Sequence, residues 1–291
     1  MDIFDYGFMR TAFAVGLIIG VVCPVVGLFV TLRRLSMIAD ALSHVCLSGV
    51  VAGLLMGTNP LLTASVFSVS GAFLIEALRV KYKSYSELAI AIILSTGVAG
   101  GAILLSLGSG LNANFMSYLF GSIITVTISD LAIVFFAGLL ILALIRLFYK
   151  ELFFIAFDEE GARVAGLPVT VISVGFTALT ALTIAVSIRT VGLLMVSSLI
   201  ILPVAAALKL ATSFKKALIL SVVLGELAVM AGLFASFYLN LIPGGAIIMS
   251  SVLILIFSIV YETFRSPGKA GQILNVEGNS GDRVVMNPLM R

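Results

Sequence analysis

Two side chains with metal-binding chemistry stand four residues apart in an otherwise apolar stretch. They are Asp40 and His44, and His44 is the single histidine of the chain. In a helix that spacing puts both on one face, about 6 Å apart along the axis. A carboxylate and an imidazole suit zinc, manganese or ferrous iron, and both can reach one ion. One Asp and one His make only half of a tetrahedral site. A two-fold dimer with this helix at its axis would present each residue twice and complete it. The alternative is that both side chains hydrogen-bond neighbouring helices and hold a bundle together; the spacing alone favours neither. Ala39, Ala41, Ser43, Ser48, Gly49, Ala52 and Gly53 surround the pair and permit close backbone approach.

The elements that must position this pair belong in a membrane. Of 291 residues, 61% are hydrophobic and only 11% charged, against about 25% charged in a soluble domain that faces water all round. A net charge of +3 gives no reason to expect nucleic acid as a partner. A bilayer core needs about 20 apolar residues per helix. By that measure nine segments qualify, near 9–32, 37–57, 61–80, 87–107, 128–149, 168–188, 190–210, 216–239 and 245–264. The expected fold is therefore an all-α polytopic bundle of eight to nine spans. The segment 190–210 is the weakest, because Arg189 and Pro203 interrupt its ends. The stretch 111–127 is too short and mixed to span and reads as interfacial or re-entrant. No basic region precedes the first apolar run, so it reads as a retained span rather than a cleaved signal. Residues 1–264 form the transmembrane domain, with a cytoplasmic loop at about 150–167. Residues 265–291, rich in glycine, read as a polar cytoplasmic tail. Cys23 and Cys46 lie in apolar runs and read as small core hydrophobes.

Nine crossings put all but Arg10 and Arg189 of the 17 Lys and Arg residues on one side. Basic residues concentrate in cytoplasmic loops, which predicts an outside N-terminus and a cytoplasmic C-terminus. Most acidic residues sit at span ends: Glu76 near Arg79, Glu87 and Asp130 at helix starts, and Glu262 near Arg265. Snorkelling or capping accounts for them. Glu226, deep in its span, and Asn240 are weaker metal-site candidates beside Asp40 and His44. No phosphate-binding GxxxxGK[ST] loop, HExxH helix or GxSxG elbow is present, so neither ATP hydrolysis by that loop nor hydrolase chemistry is expected of this chain.

The run Arg33-Arg34-Leu35-Ser36-Met37-Ile38-Ala39-Asp40-Ala41-Leu42-Ser43-His44-Val45-Cys46-Leu47-Ser48-Gly49 resembles the signature of permeases in the zinc/manganese/iron class of ABC importers. It departs from that signature at Met37-Ile38 and at Ser48, where proline is usual; Asp40 and His44 are kept. Leu119-Phe120-Gly121-Ser122-Ile123, the loop from Phe157 to Gly166, Val191-Gly192-Leu193-Leu194 with Leu202-Pro203-Val204-Ala205, and Ser236 through Ile248 are similar to further family segments. In the last, Asn240 stands where Asp is common.

The resemblance implies a homodimeric type II permease carrying a transported divalent metal, Zn2+ or Mn2+, with no permanently bound cofactor. The overall likeness leans slightly to zinc. It implies as partners two ATP-binding cassette ATPase subunits, an extracytoplasmic metal-binding protein and a second copy of the chain, in the membrane lipid of a bacterial plasma membrane. It also implies a metal site at Asp40 and His44 and an ATPase-coupling loop. Asp158, Glu159 and Glu160 followed by Ala162, Arg163 and Gly166 can form a short helix, acidic at its start and ended by glycine. The rival function is an autonomous secondary transporter or channel for divalent cations. Such folds show paired broken helices in inverted repeats, which the sequence lacks.

Overall fold

The structure, a computed structural model, describes residues 5–82, 85–108, 112–122 and 126–265. The expected tail at 265–291 thus lies outside the described residues from 266 onward, as do Lys83 and Ile123. The order is α1 (Gly7–Leu32), α2 (Met37–Leu55), α3 (Pro60–Lys81), α4 (Ser86–Leu107), α5 (Asn112–Phe120), α6 (Ile128–Leu147), α7 (Tyr149–Phe157), α8 (Glu159–Val164), α9 (Val169–Val191), α10 (Leu193–Leu210), α11 (Phe214–Leu239) and α12 (Pro243–Arg265).

Eight of these helices are long and apolar enough to cross a membrane. The ninth expected span, α10, has 18 residues, at the short end of the length that crosses a bilayer. Its surroundings set it apart from the outer helices. Leu193, Val196, Leu199, Ile200 and Val204 are fully buried, because α10 packs on α1, α9, α11, α12 and α2 rather than on lipid. The boundary before it also differs from the sequence expectation. Arg189 does not break a helix: α9 continues to Val191, and the break falls at Gly192, at φ 90°. α5, nine residues long, is the non-spanning piece expected within 111–127.

α1 is the central helix. From Val22 to Val30 every residue is buried, the pattern of a helix that is hydrophobic all round. Pro24 leaves the Gly20 carbonyl without its helical donor. Gly225 of α11 packs there, so that a Cβ on it would lie 2.5 Å from the Pro24 ring. Outer helices show their apolar side chains to the surroundings: Val66 and Phe73 on α3, Ile103 on α4, Phe136 on α6, Phe257 on α12. In water this belt would be an aggregation surface; in lipid it is the solvated face.

Helix ends sort onto two faces as the basic residues predict. The α1–α2 link, the end of α3, the start of α4, α8 and the start of α9 line one cavity, so these ends share a face. Phe214 at the start of α11 meets Phe29, Tyr149 and Phe153 in tilted and edge-to-face contacts at the same face. Lys209 reaches Glu262 at 3.6 Å, joining the ends of α10 and α12.

Close helix crossings rest on glycine. A Cβ at Gly27 of α1 would fall on the carbonyl oxygen of Ile200 in α10. Gly27→Leu is therefore expected to lower stability by about 1–3 kcal/mol, read as a reduced thermal midpoint in detergent relative to an exposed-face control such as Val66→Leu.

Candidate metal half-site and docking helix

α2 lies in a groove between α3 and α4 and is held there by backbone contact. Gly49 meets the Ala64 Cα on α3, and Gly97 of α4 meets the backbone of His44 and Val45. Ser48 donates to the Gly97 carbonyl at 2.7 Å, so the serine that replaces the family's usual proline ties α2 to α4. Ser43 donates to the Ala39 carbonyl at 2.8 Å, satisfying its hydroxyl within the helix.

The remaining face of α2 carries the pair. Asp40 sits in the first turn, where the helix dipole favours a carboxylate. His44 Nε2 and Asp40 Oδ1 are 4.0 Å apart, with the side chains 24% and 43% exposed respectively. Two ligands about 2.1 Å from one tetrahedral ion stand about 3.4 Å apart, so small side-chain rotations bring both onto one metal. Among the described residues no group of three or more His, Cys, Asp or Glu comes together. The pair thus supplies two ligands, on a face that this chain leaves partly open.

The other two sequence candidates lie elsewhere. Glu226, at the middle of α11, rests against Gly20 of α1, and both its carboxylate oxygens are buried without a hydrogen-bond partner. Asn240 is exposed at the C-cap of α11 in the left-handed conformation, φ 52° and ψ 41°. Asparagine tolerates that region better than most residues, which accounts for its type through the backbone. Neither is brought to Asp40 and His44.

The acidic loop folds as expected. Asp158 caps α8 through Oδ1, which accepts from Gly161 N at 2.8 Å. Glu159 pairs with Arg163 at 2.9 Å. At the other end Gly166 takes φ 83°, and the Leu167 and Gly166 amides donate back to the carbonyls of Ala162 and Arg163. That is a Schellman closure, for which glycine is the favoured residue. Ala162 is fully buried against Ile155 and Val169, fixing α8 to α7 and α9. Glu160 and Val164 face out, Val164 90% exposed. A large apolar side chain so displayed at the polar end of a membrane bundle marks a contact surface.

Sequence reasoning treated Glu76 as a residue at a helix end. It is 5% exposed; it accepts from Arg79 Nη1 at 2.9 and 3.1 Å and from Thr177 Oγ1 at 2.6 Å. Nearby, Arg33 Nη2 donates to Ser173 Oγ at 2.7 Å, and its guanidinium lies 5.8 Å from the Phe176 ring centroid. Burial, followed by the charge of Arg79, lowers the Arg33 pKa. Glu262 pairs with Lys209, and Asp130 forms a capping box with Thr127. Sequence reasoning also missed a junction at the opposite face. A Cβ at Gly192 or Gly244 would strike the backbone of Phe120 or its neighbours, so α5, the α9–α10 break and the start of α12 meet there. The glycines in three separate motifs were the available signal.

These features define a class first: a polytopic α-helical membrane protein with a polar half-site on an inner helix and a short helix displayed at its basic face. A model of the ABC 3 transport family matches residues 5–262, and the chain belongs to that family. It is 37% identical over 255 residues to the "Probable metal transport system membrane protein" of Treponema pallidum (strain Nichols), covering 88% of this chain and 96% of that one. It is 30% identical over 257 residues to the manganese transport system membrane protein MntC of Listeria innocua serovar 6a, covering 88% and 91%. Among solved structures, a chain of PsaBC from Streptococcus pneumoniae in complex with Fab aligns with a TM-score of 0.77 at 30% identity, covering 87% and 91%.

Asp158→Ala is expected to loosen α8 by about 1 kcal/mol, the usual worth of an N-cap. Amide hydrogen exchange in residues 159–165 should then quicken by about fivefold, with α9 amides unchanged.

Proposed function

We propose that this chain is the permease subunit of an ATP-driven importer of divalent transition-metal ions. It works as a homodimer in a bacterial cell membrane, with the N-terminus outside and the C-terminus cytoplasmic. The observation that carries this reading is the Asp40–His44 pair, two metal ligands on a partly open face of α2 with no third ligand among the described residues of their own chain. A second copy related by a two-fold axis supplies the missing carboxylate and imidazole. Asp40 and His44 are the ligands of the transported ion; Glu226 and Asn240 contribute less, being distant from the pair. The donor set accommodates zinc and manganese alike. The relatives named for manganese transport support Mn2+ as the first cargo to test, where the sequence alone leaned to Zn2+.

Energy comes from partners. Two ATP-binding cassette ATPase subunits dock on α8 through Glu160 and Val164, and an extracytoplasmic metal-binding protein delivers the ion to the opposite face. Closure of the ATPases, passed through α8, alternates access to the half-sites. Residues 1–264 make up the membrane domain, and 265–291 extend from it on the cytoplasmic side.

Two tests follow. In proteoliposomes holding the full transporter, Asp40→Ala and His44→Ala are each expected to weaken metal binding by more than about 100-fold, since losing even an outer-shell partner costs about 10–100-fold. Uptake of Mn2+ should fall to background, and metal analysis should find one ion per two chains only in the unaltered complex. Full uptake by either variant would remove the site assignment. Separately, Val164→Asp should abolish co-purification of the ATPase while leaving the permease folded; an ATPase that stays attached rules out α8 as the dock.

A further inference from the structure

Arg33, Glu76 and Arg79 form a charge cluster at the junction of the α1–α2 link, α3 and α9. Glu76 is held from two sides, by Arg79 and by Thr177, and Arg33 by Ser173. Two guanidinium groups against one carboxylate leave the cluster with excess positive charge. Two of its donors, Arg33 Nη1 and Arg79 Nε, are buried with no acceptor. Donors left this way in a weakly polar setting are costly. All three residues line a cavity of about 750 Å³ whose wall also includes Glu159, Glu160 and Arg163 of α8. Glu159 already acts on Arg33 through its charge.

The cluster is tied tightly to α2. Arg34 adopts φ 57°, a conformation uncommon outside glycine. Leu35 is 5% exposed, and its amide donates to the Val30 carbonyl at 3.0 Å. The link from α1 to α2 is therefore short and pinned. Arg33 stands seven positions before Asp40 in the sequence, with no slack in which a displacement could be absorbed.

We propose that the Arg33–Glu76–Arg79 cluster is the positioning device through which α8 moves α2. When α8 is driven toward the bundle, its Glu159 carboxylate, which lines the same cavity, exchanges Arg163 for the unsatisfied guanidinium donors. Arg33 carries that shift into the start of α2 and so to Asp40 and His44. This rests on the reading of α8 as the ATPase dock. The three residues touch no metal; they act by setting the position of those that do.

The test measures Mn2+ taken up per ATP hydrolysed, in proteoliposomes containing the complete transporter and its binding protein, together with the amount of ATPase that co-purifies. Glu76→Gln preserves shape and removes the one carboxylate of the cluster. The expected result is normal assembly, continued ATP hydrolysis, and uptake per ATP lowered by about tenfold, the scale of a lost charged hydrogen bond. Glu76→Gln combined with Arg79→Gln rebalances the charge and should recover part of the ratio, which a packing role would not do. An unchanged ratio in Glu76→Gln, or a double variant no better than the single one, overturns the proposal. If Glu76→Gln fails to assemble, Thr177→Val decides, because it removes one hydroxyl and no charge. A lowered ratio there supports the proposal, and an unchanged one overturns it. The two readings fail separately: an ATPase that stays bound to the Val164→Asp variant removes the dock, whereas an unaltered ratio with the dock intact removes only the cluster.

Discussion

In a lipid solvent, every buried polar group has to be answered by the protein itself, and the rest of this structure depends on that constraint. Backbone groups are answered by helices throughout. Hydroxyls are answered one turn back, as Ser43, Thr180 and Ser187 each donate to the carbonyl four residues earlier. Glycines bring backbones together where side chains would hold them apart, at Gly27, Gly49 and Gly97. What remains unanswered is then informative. The partly open Asp40–His44 pair, the Glu226 carboxylate and the spare donors of Arg33 and Arg79 are groups left in this way.

The pair and the cluster sit at the two ends of one short path. The pair lies in the first two turns of α2, and the cluster lies where α2 begins. α8 stands across the cavity from that cluster. Its two ends are closed by side-chain and backbone hydrogen bonds, and its buried Ala162 anchors it to α7 and α9. The packing of α2 against α3 and α4 through glycine holds the helix in place while leaving the pair partly open.

Much of this was legible in the sequence. Hydropathy placed the nine long apolar helices and the non-spanning piece at α5, because apolar length is a direct consequence of bilayer thickness. The i,i+4 spacing of Asp40 and His44 put them on one face, since helix periodicity is fixed by the backbone. The ends of α8 could be read from Asp158 and Gly166, whose local chemistry acts within a few residues. Asp130 read correctly as a residue at a helix start for the same reason.

Contacts between distant segments decided the rest. α10 is enclosed by other helices rather than by lipid, which its own sequence does not record. Glu76 looked like a helix-end charge until Thr177, about a hundred residues away, proved to be its second donor. Glu226 and Asn240 were plausible ligands by type, yet one packs on α1 and the other caps α11. Local sequence determines which helices form, how long they are and which residues share a face. Which faces meet is set by long-range packing, and only the tertiary structure records it.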